Sequence, residues 1–430
     1  MCYNHYMNKF FKFPNGLTLC YSKNDSVRSV SVGVYVRAGC LYENEKNNGV
    51  SHFVEHMFFK GTKTRSAFDI VAEVDSLGAR INAATSKLFT YYYTISLAED
   101  FDKCLEILSD LYFNSTFPTE EFERERKVIL EELAESEDTP DDVCIERAAS
   151  ASLGSHPLAK TILGTKESLT KMTREDLFAY VKERYVACNT VVSVAGDLDF
   201  DAVQKAVEKY FASNFEQKEF AEKEILPCPL SEETIVVDKK IEQVHIVEAY
   251  EGVDMFDDRE CQAIALLTEI FCSSMSSRLF QTIREKLGLC YSIYGYPSFL
   301  KTTKGRFYIC TSTNAASVSL AVEKIDEEIN LLLKDGVTEA ELERAKKQAV
   351  TAIVLGQEST SAVMRALGRQ AILKDELYDI DAELRLIESV TCDEVVAVAK
   401  KVFGGLRRTV CFVGDTSDKN LKKIAKTVKH

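Results

Sequence analysis

The sequence predicts an α+β chain made of two related halves. Three observations carry this expectation. Residues 29–38 alternate apolar and polar, with Val30, Val32, Val34 and Val36 on one side, as a half-buried strand does. Residues 119–133 instead repeat apolar side chains at helical spacing through Phe122, Ile129 and Leu133. Finally, words recur at a nearly constant separation. Met172-Thr173-Arg174-Glu175-Asp176 echoes Val390-Thr391-Cys392-Asp393-Glu394, and Val194-Ala195-Gly196-Asp197 echoes Phe412-Val413-Gly414-Asp415, both offset by 218. Phe122-Glu123-Arg124 echoes Leu342-Glu343-Arg344 at 220. Nearly the same offset, 218 to 220, recurring across three stretches argues for duplication of a fold. A chain of 430 residues also exceeds one ordinary core. The expected division is 1–215, a linker over 216–238 containing Pro227-Cys228-Pro229, and 239–430.

In chain order, residues 17–21 and 29–38 read as strands, and 43–48 as a polar loop. The next stretch is Gly49-Val50-Ser51-His52-Phe53-Val54-Glu55-His56-Met57-Phe58-Phe59-Lys60-Gly61-Thr62. On a helix, His52 and His56 share one face a turn apart, and Glu55 lies beside it. Two imidazoles with a neighbouring carboxylate are what a catalytic zinc site needs: N/O ligands, an open position for water, and a base. With only six histidines in the chain, such a pair arises rarely by chance.

A helix over 68–77, stopped by Gly78, comes next, then residues 79–85 and a strand over 89–97 in which Tyr91, Tyr92 and Tyr93 read as packing. The helix over 119–133 carries Glu125 and Glu132, two turns apart on one face. They read either as a source of the third metal ligand or as an ordinary solvated acidic face. An acidic run over 135–146 follows, then a helix over 174–185 and a strand over 190–197. The second half has no histidine pair, and Ala345 and Ala352 stand where Glu125 and Glu132 would repeat, so one metal per chain is expected.

Composition excludes other classes. A net charge of −14 argues against a general nucleic-acid binder and favours cationic peptides, although acidity also serves solubility. No run of 18 apolar residues exists to span a membrane. Residues 1–10 show neither a signal core nor an Arg-rich transit pattern, and the 13 scattered cysteines contain no CxxC pair. The expectation is a cytoplasmic protein with free thiols.

The words GVSHFVEHMFFKGT, INAATSKLFTYYY (81–93), ERKVILEEL (125–133) and HPLAKTILGT (156–165) resemble the pitrilysin family, whose HxxEH signature defines inverzincins, and most of all its half-length, mitochondrial-processing-peptidase-like branch. That resemblance implies two homologous domains, each a mixed, mainly antiparallel sheet with helices packed on one face. It implies a zinc metalloendopeptidase with His52, His56 and Glu132 as Zn²⁺ ligands, Glu55 as the base, and Glu125 holding a ligand from behind. Asn82 and Ala83 would lie on an edge strand to which a peptide substrate adds. Asp142 and Glu146 would read basic substrate residues, although an acidic helix start suits the helix dipole equally. In Ser277-Arg278-Leu279-Phe280-Gln281-Thr282-Ile283-Arg284-Glu285-Lys286-Leu287-Gly288-Leu289-Cys290-Tyr291, the residues Arg284 and Tyr291 match the family's Arg-Tyr element, which grips substrate carbonyls and stabilises oxyanion charge. With two domains per chain, the expected enzyme is a homodimeric clamshell completing each zinc site from the other chain. The alternatives are a heterodimer with an unlike chain, or a non-catalytic structural subunit. Many relatives carry a glycine-rich loop before the Arg-Tyr element, where this chain has Cys272-Ser273-Ser274-Met275-Ser276.

Overall fold

The computed structural model describes residues 8–216, 218, 220–222 and 224–428, so the reading of the N-terminus rests largely on residues 1–7, outside that range. The first half runs β1 (Asn8–Lys12), β2 (Thr18–Lys23), β3 (Ser29–Val36), α1 (Val50–Phe58), α2 (Ala67–Ser76), β4 (Arg80–Thr85), β5 (Thr90–Leu97), α3 (Phe101–Asn114), α4 (Thr119–Asp138) and α5 (Pro140–Leu153). It closes with α6 (Lys166–Lys171), α7 (Arg174–Arg184), β6 (Thr190–Gly196) and α8 (Phe200–Tyr210). The second half runs β7 (Thr234–Asp238), β8 (Gln243–Glu251), α9 (Asp258–Thr268), two widened helical turns at Glu269–Ser273 and Phe280–Lys286, β9 (Ile293–Ser298) and β10 (Arg306–Asn314). Next come α10 (Val318–Asp335), α11 (Glu339–Gly356), α12 (Thr360–Lys374), α13 (Ile380–Ser389), α14 (Cys392–Phe403), β11 (Arg408–Gly414) and α15 (Lys419–Thr427).

The duplication is visible in the sheets. One has the order β1-β2-β6-β3-β5-β4, the other β7-β11-β8-β10-β9. Without β1 the two orders are the same. In each, the pair β2–β6 or β7–β11 is parallel and every other pairing antiparallel. This is the mixed, mainly antiparallel α+β architecture.

The described residues form two compact units: one of residues up to 133 with 160–223 and 353–381, the other of 134–159, 224–352 and 382–430. The units therefore do not follow the linear division expected above. The 216–238 linker also ends in β7, which is a strand of the second sheet. The physical reason is an exchange. Helices α5 and α12 hold equivalent places in the two halves, 220 residues apart, and each belongs to the unit of the other half.

In the first unit, Val30, Val32, Val34 and Val36 point into a core with Phe53, Phe58 and Leu105 from α1 and α3. The opposite face of β3 is covered by α12. There Ser31 Oγ meets Thr360 Oγ1 at 2.9 Å, and Tyr35 OH donates to Met364 Sδ at 3.3 Å. In the second unit α5 packs in the same way, with Val143, Cys144 and Ala148 against Val247, Cys310 and Cys411. The other face of that sheet carries Ile246 and Phe412 against Val318 of α10. It also buries Arg408, which bonds to Asp326, Tyr250 (3.0 Å) and Glu248 (3.3 Å), so the buried charge is paired as low dielectric requires. No helix among the described residues is long and apolar enough to cross a membrane.

Candidate metal centre

The histidine helix is anchored by protein groups alone. Gly49, the residue preceding α1, has φ 92, a left-handed conformation suited to glycine, and offers no capping side chain. The buried carboxylate of Glu43 supplies the cap from the preceding loop. Its Oε2 accepts from Gly49 N (2.8 Å) and Asn48 Nδ2 (2.9 Å), and its Oε1 from Ser51 N (3.0 Å). Orphan amides at the positive end of the helix thus meet a negative charge. Along α1, Phe53, Val54, Met57 and Phe58 are buried, while His52, Glu55 and His56 occupy the remaining, partly open face.

Helix α4 brings the third group. Its buried residues are Phe122, Glu125 and Ile129, a helical stripe that includes a glutamate. Phe122 stacks on Phe53 at 4.8 Å with ring planes 5° apart, which locks α4 against α1. One turn beyond Ile129, Glu132 Oε2 lies 3.7 Å from both His52 Nε2 and His56 Nε2. Zinc bonds of about 2.1 Å at tetrahedral angles separate ligand atoms by roughly 3.4 Å, so two imidazole nitrogens and a carboxylate oxygen at this spacing fit zinc in geometry and donor type. This is the single group of three or more metal-ligating side chains found among the described residues. In the second half, Ala345 and Ala352 on α11 offer no ligand atom at the repeated positions.

The surrounding groups prepare the donors. Burial, with the neighbouring His56 charge, lowers the His52 pKa to about 4, so its imidazole is neutral and able to ligate near pH 7. His56 Nδ1 is 3.0 Å from Glu125 Oε2, which leaves Nε2 for the metal. Lys60 Nζ sits 2.8 Å from the other Glu125 oxygen. Burial pushes the Glu125 pKa up, but the bonds from Lys60 and His56 outweigh it and hold the group below its usual range. Glu55 behaves oppositely: burial raises it, against the lowering effects of Thr85 and His56. The Thr85 hydroxyl donates to Glu55 Oε2 and accepts from Thr90 Oγ1 at 3.3 Å.

The remaining candidates fall into two places. Asn82 and Ala83 lie on β4, an edge of the first sheet, where Asn82 Oδ1 accepts the Ala83 N–H at 2.8 Å. In the second unit, Asp142 is exposed and Glu146 partly buried on α5, while Asp141 beside them pairs with His245 at 2.5 Å. Arg284 and Tyr291 come together there: the guanidinium carbon is 5.7 Å from the Tyr291 ring centre and 4.6 Å from that of Phe280. Tyr291 is 82% exposed. Sequence reasoning missed Glu43, Lys60 and Thr85. The last two stand inside the words FFKGT and INAAT, but no spacing rule connects them to the histidines.

The duplicated sheets and the His-His-Glu group define a two-unit α+β protein with one candidate zinc site among the described residues. Residues 19–166 match the family model described as Insulinase (Peptidase family M16), and 171–349 match Peptidase M16 inactive domain. The chain belongs to peptidase family M16. It is 36% identical over 397 residues to a Bacillus subtilis protein described as uncharacterized zinc protease YmxG, covering 92% of this chain and 96% of that one. A Rickettsia felis uncharacterized zinc protease is 34% identical, with 92% and 95% covered. Two solved structures share the fold. One is described as peptidase M16 inactive domain from Pseudomonas fluorescens (TM-score 0.89, 20% identity, 95% of this chain and 98% of that one) and the other as a protease from Helicobacter pylori (TM-score 0.86, 22% identity, 95% and 99%).

Proposed function

We propose that this chain is a zinc-dependent endopeptidase acting on peptides or unfolded polypeptide segments. The observation that carries the reading is the convergence of His52 Nε2 and His56 Nε2 on one Glu132 oxygen, with Glu55 on the same helix face. His52, His56 and Glu132 would hold zinc, which would supply Lewis acidity towards a carbonyl and a water. Glu55, its pKa raised by burial, takes the proton of the attacking water and returns it to the leaving amine. Thr85 fixes the carboxylate for that transfer. Glu125, clamped by Lys60, fixes the His56 ring.

Ala83 donates its N–H to the Asn82 side chain on β4, which is an edge strand of the first sheet. A substrate strand pairing there would take over the bond now made by Asn82. Arg284 and Tyr291 supply a fixed cation and an O–H donor for the carbonyl and its developing charge. Asp142 and Glu146 offer carboxylates to basic substrate residues. Two such chains would form a clamshell in which the Arg-Tyr element of one serves the zinc of the other. The match of residues 171–349 to an inactive domain keeps a second reading alive, that of a structural or partner-dependent subunit.

The Glu55→Gln variant separates them. It is expected to retain zinc at wild-type stoichiometry and to lose at least about a hundredfold in peptide hydrolysis, the scale of general-base catalysis. A purified wild-type chain that binds zinc yet cuts no unfolded peptide, alone or as a dimer, favours the subunit reading.

A further inference from the structure

We propose that the face of the first sheet opposite α1 holds a cationic, aromatic-walled subsite that binds acidic side chains of a peptide laid along β4. The inference deepens the edge-strand reading and rests on it. Strand side chains alternate between faces. On β4, Thr85 contacts Glu55 and Ala83 packs with the core, so both belong to the α1 face. Arg80, Asn82 and Ala84 therefore belong to the other face, where their register partners on β5 are Ile95, Tyr93 and Tyr91. Tyr91 stacks on Tyr35 at 4.8 Å and on Tyr93 at 5.4 Å, forming a continuous aromatic floor.

Helix α12 borders that floor. Gly368 lies so close to the Tyr35 ring that a Cβ would come within 2.2 Å of it. On the adjoining flank Arg365 and Arg369 are exposed, one turn apart. Arg365 directly follows Met364, whose Sδ accepts from Tyr35 OH at 3.3 Å, and the Arg365 charge opposes the burial that raises the Tyr91 pKa. Arg80, Arg365 and Arg369 form no ion pair with a carboxylate among the described residues. Exposed Arg365 and Arg369 on α12 and Arg80 on β4 add positive charge beside this face in a chain of net charge −14. A carboxylate is their natural complement, and arginine forks bind carboxylates with geometric preference. A peptide strand added to β4 lies about 10 Å from β5 at ordinary strand spacing. Small Ala84 leaves that gap open, so a glutamate can reach across it towards the arginines while its sequence neighbours face Glu55.

The signature is periodic. In the full-length Glu55→Gln chain, binding of fluorescent peptides is measured by anisotropy as one glutamate is moved stepwise through an otherwise glutamine-containing sequence. KM for the same peptides is measured with the wild type. Glutamate should outbind glutamine at alternate positions only, by about threefold to tenfold, and the advantage should shrink with salt. The ratio should fall towards one in Arg365→Gln/Arg369→Gln and return in Arg365→Lys/Arg369→Lys. A flat scan, or one untouched by the glutamine variants, overturns the subsite while leaving the peptidase reading intact. Peptides that are neither cut by the wild type nor bound by the Glu55→Gln chain overturn both.

Discussion

At the residue scale the metal centre is a chain of contacts extending outward from three donors. Lys60 bonds to Glu125, Glu125 to His56 Nδ1, and His56 Nε2 faces Glu132. Removing the ammonium would leave a nearly buried carboxylate with one partner, free to turn away from the ring. Lys60→Met is therefore expected to weaken zinc binding by about 10–100-fold in a chelator competition, with Lys60→Arg recovering most of the loss. Unchanged affinity in Lys60→Met would show that Glu125 needs no second partner. These residues also mark how far the sequence could be read. His52, Glu55 and His56 were legible because a helix turns fixed spacing into contact. Glu132 was not legible from spacing alone, since a glutamate-rich helix reads equally as solvated. What decides it is tertiary: Phe122, Glu125 and Ile129 form a buried stripe held on α1 by the Phe53–Phe122 stack.

At the scale of elements, helices are fixed by what receives their ends. Glu43 caps α1 from a loop. Glu341 does the equivalent for α11, accepting from Thr338 N (2.9 Å) and from Arg278 Nε and Nη2, both at 2.8 Å. Burial alone would raise the Glu341 pKa, but the Arg278 and Thr338 bonds prevail and bring it to about 2, against 4.5 ordinarily. A depressed carboxyl stabilises the fold above its unfolded pKa and loses that contribution as pH falls through the folded one. The contribution of at most about 3 kcal/mol should be present at pH 6 and fade between about pH 4.5 and 2. Urea unfolding of wild type and Glu341→Gln should accordingly differ at pH 6, with the difference shrinking steadily from about pH 4.5 towards pH 2. A difference independent of pH would remove the carboxylate from the explanation. The strand periods and the 218–220 offset revealed the elements and their duplication. They could not reveal that α5 and α12 change sheets, because an apolar helical face carries the same pattern whichever sheet it covers.

At the scale of the whole molecule, the described residues hold one candidate metal centre and, in the other unit, an exposed Tyr291 beside Arg284. The homodimer proposed above makes a distinctive prediction. A His52→Ala chain and an Arg284→Ala chain, each inactive alone, should regain part of the wild-type activity when mixed and allowed to exchange subunits. Mixed dimers that form and stay inactive would contradict completion of the site in trans.

The convergence of Glu132 with the two histidines is what everything else depends on, and zinc affinity measured by competition with a chromophoric chelator tests it most directly. One zinc per chain is expected for the wild type and for Glu55→Gln, with binding at least about a hundredfold weaker in Glu132→Ala. A folded Glu132→Ala chain that holds zinc as tightly as the wild type would contradict the account.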